Sequence, residues 1–99
     1  MNEIKFVCNA TRWFDKVNGN TYHSCRIMRI ADGAVITAPF TYGYGDQYRQ
    51  SALERMLEVG WIQIPRDDLY SYERLNDYPI MWNVSDGLKR DCVANGKAE

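Results

Sequence analysis

The chain has 99 residues, 45% of them hydrophobic and 25% charged, with a formal net charge of −1. That length holds one hydrophobic core, and these proportions exclude a disordered chain. Near-neutrality excludes a global field that would draw nucleic acid or an anionic membrane to the whole surface, and no apolar run approaches the ~20 residues of a membrane helix.

Residues 3–14 read as a strand, with Ile4, Phe6, Cys8 and Ala10 alternating with Lys5, Val7, Asn9 and Thr11. Asp15 to Asn20 supply a turn centred on Asn18-Gly19, where glycine accepts the positive φ of a tight hairpin. Thr21 to Ile30 form the return strand, and Ala31-Asp32-Gly33 a second turn. Ala34 to Phe40 then make a third strand, and Pro39 places it at an edge.

Tyr42-Gly43-Tyr44-Gly45 breaks the extended pattern, and Asp46 is positioned to cap a helix over residues 46–59. Tyr48, Ala52, Leu53, Met56 and Leu57 form its apolar stripe, with Arg49, Gln50, Glu54, Arg55 and Glu58 towards water and Gly60 as the stop. Trp61 to Ile64 alternate as a short strand ended by Pro65, and residues 67–77 read as a polar loop with one helical turn. Tyr78 to Val84 suit a last strand, Ser85 the cap of a short helix to about Val93, and residues 95–99 a frayed tail. The expected fold is a single α+β domain: a three-stranded antiparallel meander against helix 46–59, extended by a C-terminal strand or short helix.

Functional signals cluster at the first hairpin. Successive strand residues point to opposite faces, so Trp13 and Phe14 cannot both enter one core, and a large ring must lie near the surface beside Arg12, Lys16 and Tyr22. Aromatics with polar tips are enriched in binding hot spots. The expected contact residues are therefore Arg12, Trp13, Lys16, Tyr22, Tyr42 and Tyr44.

Other chemistries find less support. His23 and Cys25 share a strand face, with Cys8 on the neighbouring strand, but the close ligand pairs of a zinc site are missing. Small buried thiols and a hairpin imidazole are the expectation, with no metal, no cofactor and no catalytic residue. Gly43-Tyr44-Gly45 is a fragment of a phosphate loop at most, and the Asp46 carboxylate would repel a phosphate. Asp67, Asp68, Glu73, Asp77, Asp86 and Asp91 leave a small hydrolase as one alternative. A nucleic-acid-binding sheet bearing Trp13, Tyr22, Arg12, Arg26 and Lys5 is the other. No secretory leader opens the sequence, so Cys8, Cys25 and Cys92 read as reduced thiols in a cytoplasm.

Residues 12–24 (RWFDKVNGNTYHS) and 78–90 (YPIMWNVSDGLKR) resemble segments of small proteins carried by bacteriophages and prophages. The resemblance implies a non-enzymatic protein, of a size common among stoichiometric inhibitors of host defence such as anti-CRISPR proteins. Its implied partner is a host protein or protein–nucleic-acid complex in the host cytoplasm. The β-β-β-α order also resembles the later part of a double-stranded-RNA-binding domain, without that family's first helix and with Asp46 where its basic helix start would be.

Overall fold

The computed structural model describes residues 3–63, 69 and 71–97. Seven elements follow in the order β1 (Phe6–Asp15), β2 (Asn20–Arg29), β3 (Val35–Tyr42), α1 (Gln47–Glu58), α2 (Ser71–Leu75), β4 (Ile80–Asp86) and α3 (Lys89–Asn95). The fold is α+β, but its sheet is four-stranded and mixed, in the order β3-β2-β1-β4. The antiparallel meander is present as β1-β2-β3; what its pattern did not convey is that β4 pairs in parallel with β1. Parallel pairing requires a crossover, and α1 begins it, taking the chain from the β3 edge towards the β4 edge.

Strand alternation sorts side chains to two covered faces. Phe6, Cys8 and Ala10 of β1, Cys25 and Ile27 of β2, Ala38 of β3 and Ile80 of β4 join the buried stripe of α1, Tyr48, Ala52, Leu53 and Met56. Leu57, Trp61 and Trp82 pack against its rim. Trp61 stacks on Phe6 at 5.9 Å between centroids, and the Arg29 guanidinium lies 4.7 Å from the Trp61 ring. The opposite face receives α3. Ser24 is fully buried there and its hydroxyl donates to the Cys92 carbonyl, while Asn95 Nδ2 donates to the Asn9 carbonyl at 3.0 Å.

Several local expectations are corrected. Asp46 precedes α1 without a side-chain capping bond; the Gln47 carboxamide instead accepts the Tyr44 N–H at 2.9 Å. Arg49 and Arg55 are not simply solvated. Arg49 lies over the rings of Trp82 and Tyr48, and Arg55 Nε donates to the Thr37 carbonyl at 3.0 Å. Residues 61–63 form no strand; Ile64, Pro65, Asp67, Asp68 and Tyr70 lie outside the described residues. Ser85 belongs to β4 and caps nothing, because the chain continues extended to Asp86 and the helix starts at Lys89. Residues 95–97 are not frayed: Asn95 ends α3, Gly96 is buried, and the Lys97 carbonyl accepts from Arg26. Residues 98 and 99 lie outside the described residues. Among the described residues no helix is long and apolar enough to cross a membrane.

Candidate functional site

The β1–β2 turn is organised by Asp15. Its carboxylate accepts the N–H groups of Val17 at 3.0 Å and Asn18 at 3.3 Å and the Asn18 side-chain amide at 2.8 Å. These bonds, that from the Asn18 side chain foremost, hold its pKa below the usual carboxylate value. Gly19 completes the reversal at φ 70°. This fixes the register in which Trp13 lies directly opposite Tyr22; the separate β2–β3 pairing, beyond its shift at His23–Cys25, sets Tyr22 opposite Tyr42.

A row of rings results on the face that carries α3. Trp13 and Tyr22 stack at 5.5 Å with 27° between planes, and Tyr22 and Phe40 at 5.0 Å with 8°. Tyr42 meets Tyr22 edge-on at 5.8 Å. Neighbouring strands are about 4.8 Å apart, so nearly parallel rings at this spacing stand upright on the sheet. Trp13, Tyr22 and Phe40 thus turn their faces to one another and their edges to the outside, whereas Tyr42 stands across the end of the row. Lys89 Nζ, from the first turn of α3, lies 5.5 Å from the Trp13 ring centre. Trp13 and Tyr22 are half-buried, and Tyr42 is 57% exposed.

Phe14, pointing the other way from Trp13, is 54% exposed. At the end of the sheet it joins Arg12, Trp13, Lys16, Thr21, Gly45, Asp86, Gly87 and Leu88 in lining an open cleft of ≈ 480 Å³. Arg12 is on the Phe14 face and pairs with Asp86 at 3.2 Å, tying the end of β1 to the end of β4. Lys16 is exposed in the turn. Tyr44, 65% exposed, lies in the β3–α1 connection and makes no ring contact with the row among the described residues. Of the six expected contact residues, the structure thus gathers Trp13, Tyr22 and Tyr42 in one row and Arg12, Trp13 and Lys16 around one cleft, and sets Tyr44 apart. Two members went unforeseen. Phe40 shares a face with Tyr42 by two-residue parity, which a strand ending at Phe40 concealed; Lys89 arrives only through the return of α3.

The groups weighed for catalysis make the following contacts. Cys8 and Cys25 are fully buried, and Cys25 Sγ donates to the Tyr48 carbonyl at 3.2 Å. Hydrogen bonding with Cys25, and then burial, push the Cys8 thiol far up, away from the reactive thiolate. His23, 2% exposed, donates from Nδ1 to the Gly43 carbonyl at 3.1 Å, so Nε2 accepts from the Ser51 hydroxyl at 2.7 Å. That is the order of nucleophile, base and orienting group. Ser51 sits within α1, however, and the backbone N–H groups beside it are turned into the helix rather than towards an oxyanion. The imidazole is a lock between β2 and the β3–α1 connection.

The acids are similarly dispersed. Glu73 accepts the Trp82 indole N–H at 2.7 Å, Asp86 pairs with Arg12, and Asp91 accepts the Leu88 N–H at 3.4 Å. Among the described residues no group of three or more His, Cys, Asp or Glu is placed to hold a metal ion.

Burial lowers the His23 pKa below its ordinary 6.5. The unfolded chain therefore binds the proton that the folded chain resists, and stability is expected to fall as pH drops below about 6.5. Urea midpoints measured between about pH 7.5 and pH 5 check this; the parent should lose more stability over that window than His23→Gln, and parallel losses would contradict it.

No protein-family model matches the chain, and neither a curated protein nor a solved structure is found that is similar to it.

Proposed function

We propose that this protein is a non-enzymatic binding module that docks a protein partner on the row Trp13–Tyr22–Phe40–Tyr42 and the adjoining cleft. The observation that carries this reading is the upright self-stacking of the rings. A nucleic-acid platform works by offering ring faces on which unpaired bases stack. Here the faces of Trp13, Tyr22 and Phe40 are engaged by one another, and Lys89 lies over Trp13, which leaves Tyr42 at the end of the row as a single exposed ring. What is offered outward is aromatic edge and tyrosine hydroxyl, the surface of a protein hot spot. The cleft beside it, walled by Phe14 and Leu88, suits one inserted apolar side chain, with Arg12 and Lys16 at its rim. Following the resemblance to phage proteins, the partner proposed is a host protein or protein–nucleic-acid complex, which the module would inhibit by occupying its surface.

The nucleic-acid alternative is separated by salt. An oligonucleotide held through phosphates loses affinity steeply with salt, whereas an aromatic protein interface responds weakly. Tryptophan fluorescence titrated with single-stranded DNA and RNA should show no saturable change, and complexes captured from host lysate should survive a moderate rise in salt. Tight, strongly salt-dependent oligonucleotide binding would overturn the proposal.

A further inference from the structure

The two edges of the sheet are treated differently. On β3, Pro39 removes a backbone donor, the register shifts opposite His23–Cys25, and Arg55 Nε occupies the outward Thr37 carbonyl at 3.0 Å. Proline, irregularity and a covering charged side chain are the devices by which proteins close an edge to foreign strands. Among the described residues β4 has none of them: no proline lies within it and its register with β1 is unbroken. Its ladder to β1 is bounded by the Phe6 N–H to the Pro79 carbonyl at 3.2 Å and the Gly87 N–H to the Arg12 carbonyl at 2.8 Å. In a parallel ladder alternate residues bond to one neighbour. The odd-numbered residues of β4 therefore bond inward, and Ile80, Trp82, Val84 and Asp86 turn their backbone groups outward. Among the described residues no strand pairs with that side. Asn83, Ser85 and Asp86 are exposed, and Val84 is 40% exposed.

We propose that β4 is the interface of a two-fold dimer, in which two copies pair their β4 strands antiparallel about Asn83 and join their sheets into one of eight strands. The sequence of the strand is self-complementary in this register. Trp82 of each copy lies opposite Val84 of the other, an aromatic–β-branched pair of the kind that stabilises antiparallel strands. Asn83 meets its own copy at the dyad; its Nδ2 donates to Asn9 Oδ1 at 3.1 Å within the subunit, which leaves a second amide hydrogen and the carboxamide oxygen for exchange across the dyad. The two ends of the strand also differ in charge: exposed Asp77 precedes β4, while at the other end Asp86 is paired with Arg12 and exposed Lys89, its Nζ 5.5 Å from the Trp13 ring centre, follows. A dyad at residue 83 brings the lysine end of each strand to the aspartate end of the other. Among the described residues only the β4 edge of each subunit is open, so the assembly closes at two. The aromatic row runs from β1 towards β3, away from this edge, and both copies of it remain accessible.

Val84→Pro tests the interface with little disturbance of the subunit. The Val84 N–H points outward, so proline there removes a donor needed by the partner strand and none from the β1–β4 ladder. Sedimentation of the whole protein from about 1 to about 100 µM should show a concentration-dependent dimer for the parent. Val84→Pro should remain monomeric throughout, with the parent's circular dichroism. Val35→Lys, on the closed edge, should dimerise like the parent. Should Val84→Pro fold poorly, Val84→Lys serves instead, and amide exchange at Val84 and Asp86 should slow as the parent is concentrated. A parent monomeric over the whole range, or a folded Val84 variant that dimerises as well as the parent, would overturn the proposal.

Discussion

Gly96→Ala is expected to destabilise the protein by about 1–3 kcal/mol, the usual cost of forcing a methyl group into a filled space. Gly96 has φ −92°, so alanine meets no conformational penalty there and the effect is steric. A Cβ would stand 2.8 Å from Ser24 Cβ, 2.9 Å from the Phe40 nitrogen and 3.0 Å from the Ala38 oxygen. Two of these atoms are backbone of β3 and cannot rotate away. The relief available is to lift the end of α3, which would break the Asn95–Asn9 and Ser24–Cys92 bonds and uncover the buried Ser24. Equilibrium denaturation measures the loss. Gly87→Ala is the control, because its Cβ would meet the Thr11 methyl at 3.4 Å, within ordinary contact. A loss at Gly87 as large as that at Gly96 would mean that α3 is not docked as described. Lys89 starts the same helix, so lifting α3 should also change the environment of Trp13 and shift tryptophan fluorescence.

The Gly96 site illustrates where sequence reasoning stops. Asn95-Gly96-Lys97 carries polar, flexible residue types and reads as a frayed end; only the packed structure reveals that glycine is there because β3 approaches closely. The hairpin was legible because its determinants are local. Asp15, Asn18 and Gly19 specify the turn, and alternation specifies which of Phe6 and Val7 faces the core. Helix α1 was legible for the same reason, since Tyr48, Ala52, Leu53 and Met56 repeat at helical spacing. What was not legible depends on distant residues. The parallel pairing of β4 with β1 leaves no local mark, because Ile80 to Asp86 would read alike at either edge. The lock at His23 needs Gly43 and Ser51, which lie 20 and 28 residues away in sequence. The aromatic row was half visible. Trp13 and Tyr22 follow from the hairpin register, whereas Phe40 and Tyr42 join only once β3 is extended through Tyr42.

Trp13→Ala is expected to weaken binding of the proposed protein partner by about 2 kcal/mol or more, the loss typical of a hot-spot aromatic. Trp13 touches both parts of the site: its ring stacks on Tyr22 and its side lines the cleft shared with Phe14 and Lys16. Removing it also withdraws support from Tyr22, so a modest loss of fold stability should accompany the loss of binding. Two further variants separate these effects. Tyr42→Ala removes a mostly exposed ring at the end of the row and should weaken binding with little change in stability. Phe40→Ala removes a ring that supports Tyr22 from the other side, and its effect on binding should not add to that of Trp13→Ala, because both act on one stacked unit. Isothermal titration of each variant against the captured partner, with its denaturation midpoint measured in parallel, supplies both numbers. Undiminished affinity in folded Trp13→Ala would remove the aromatic row from the interface and leave the hairpin as a structural element only.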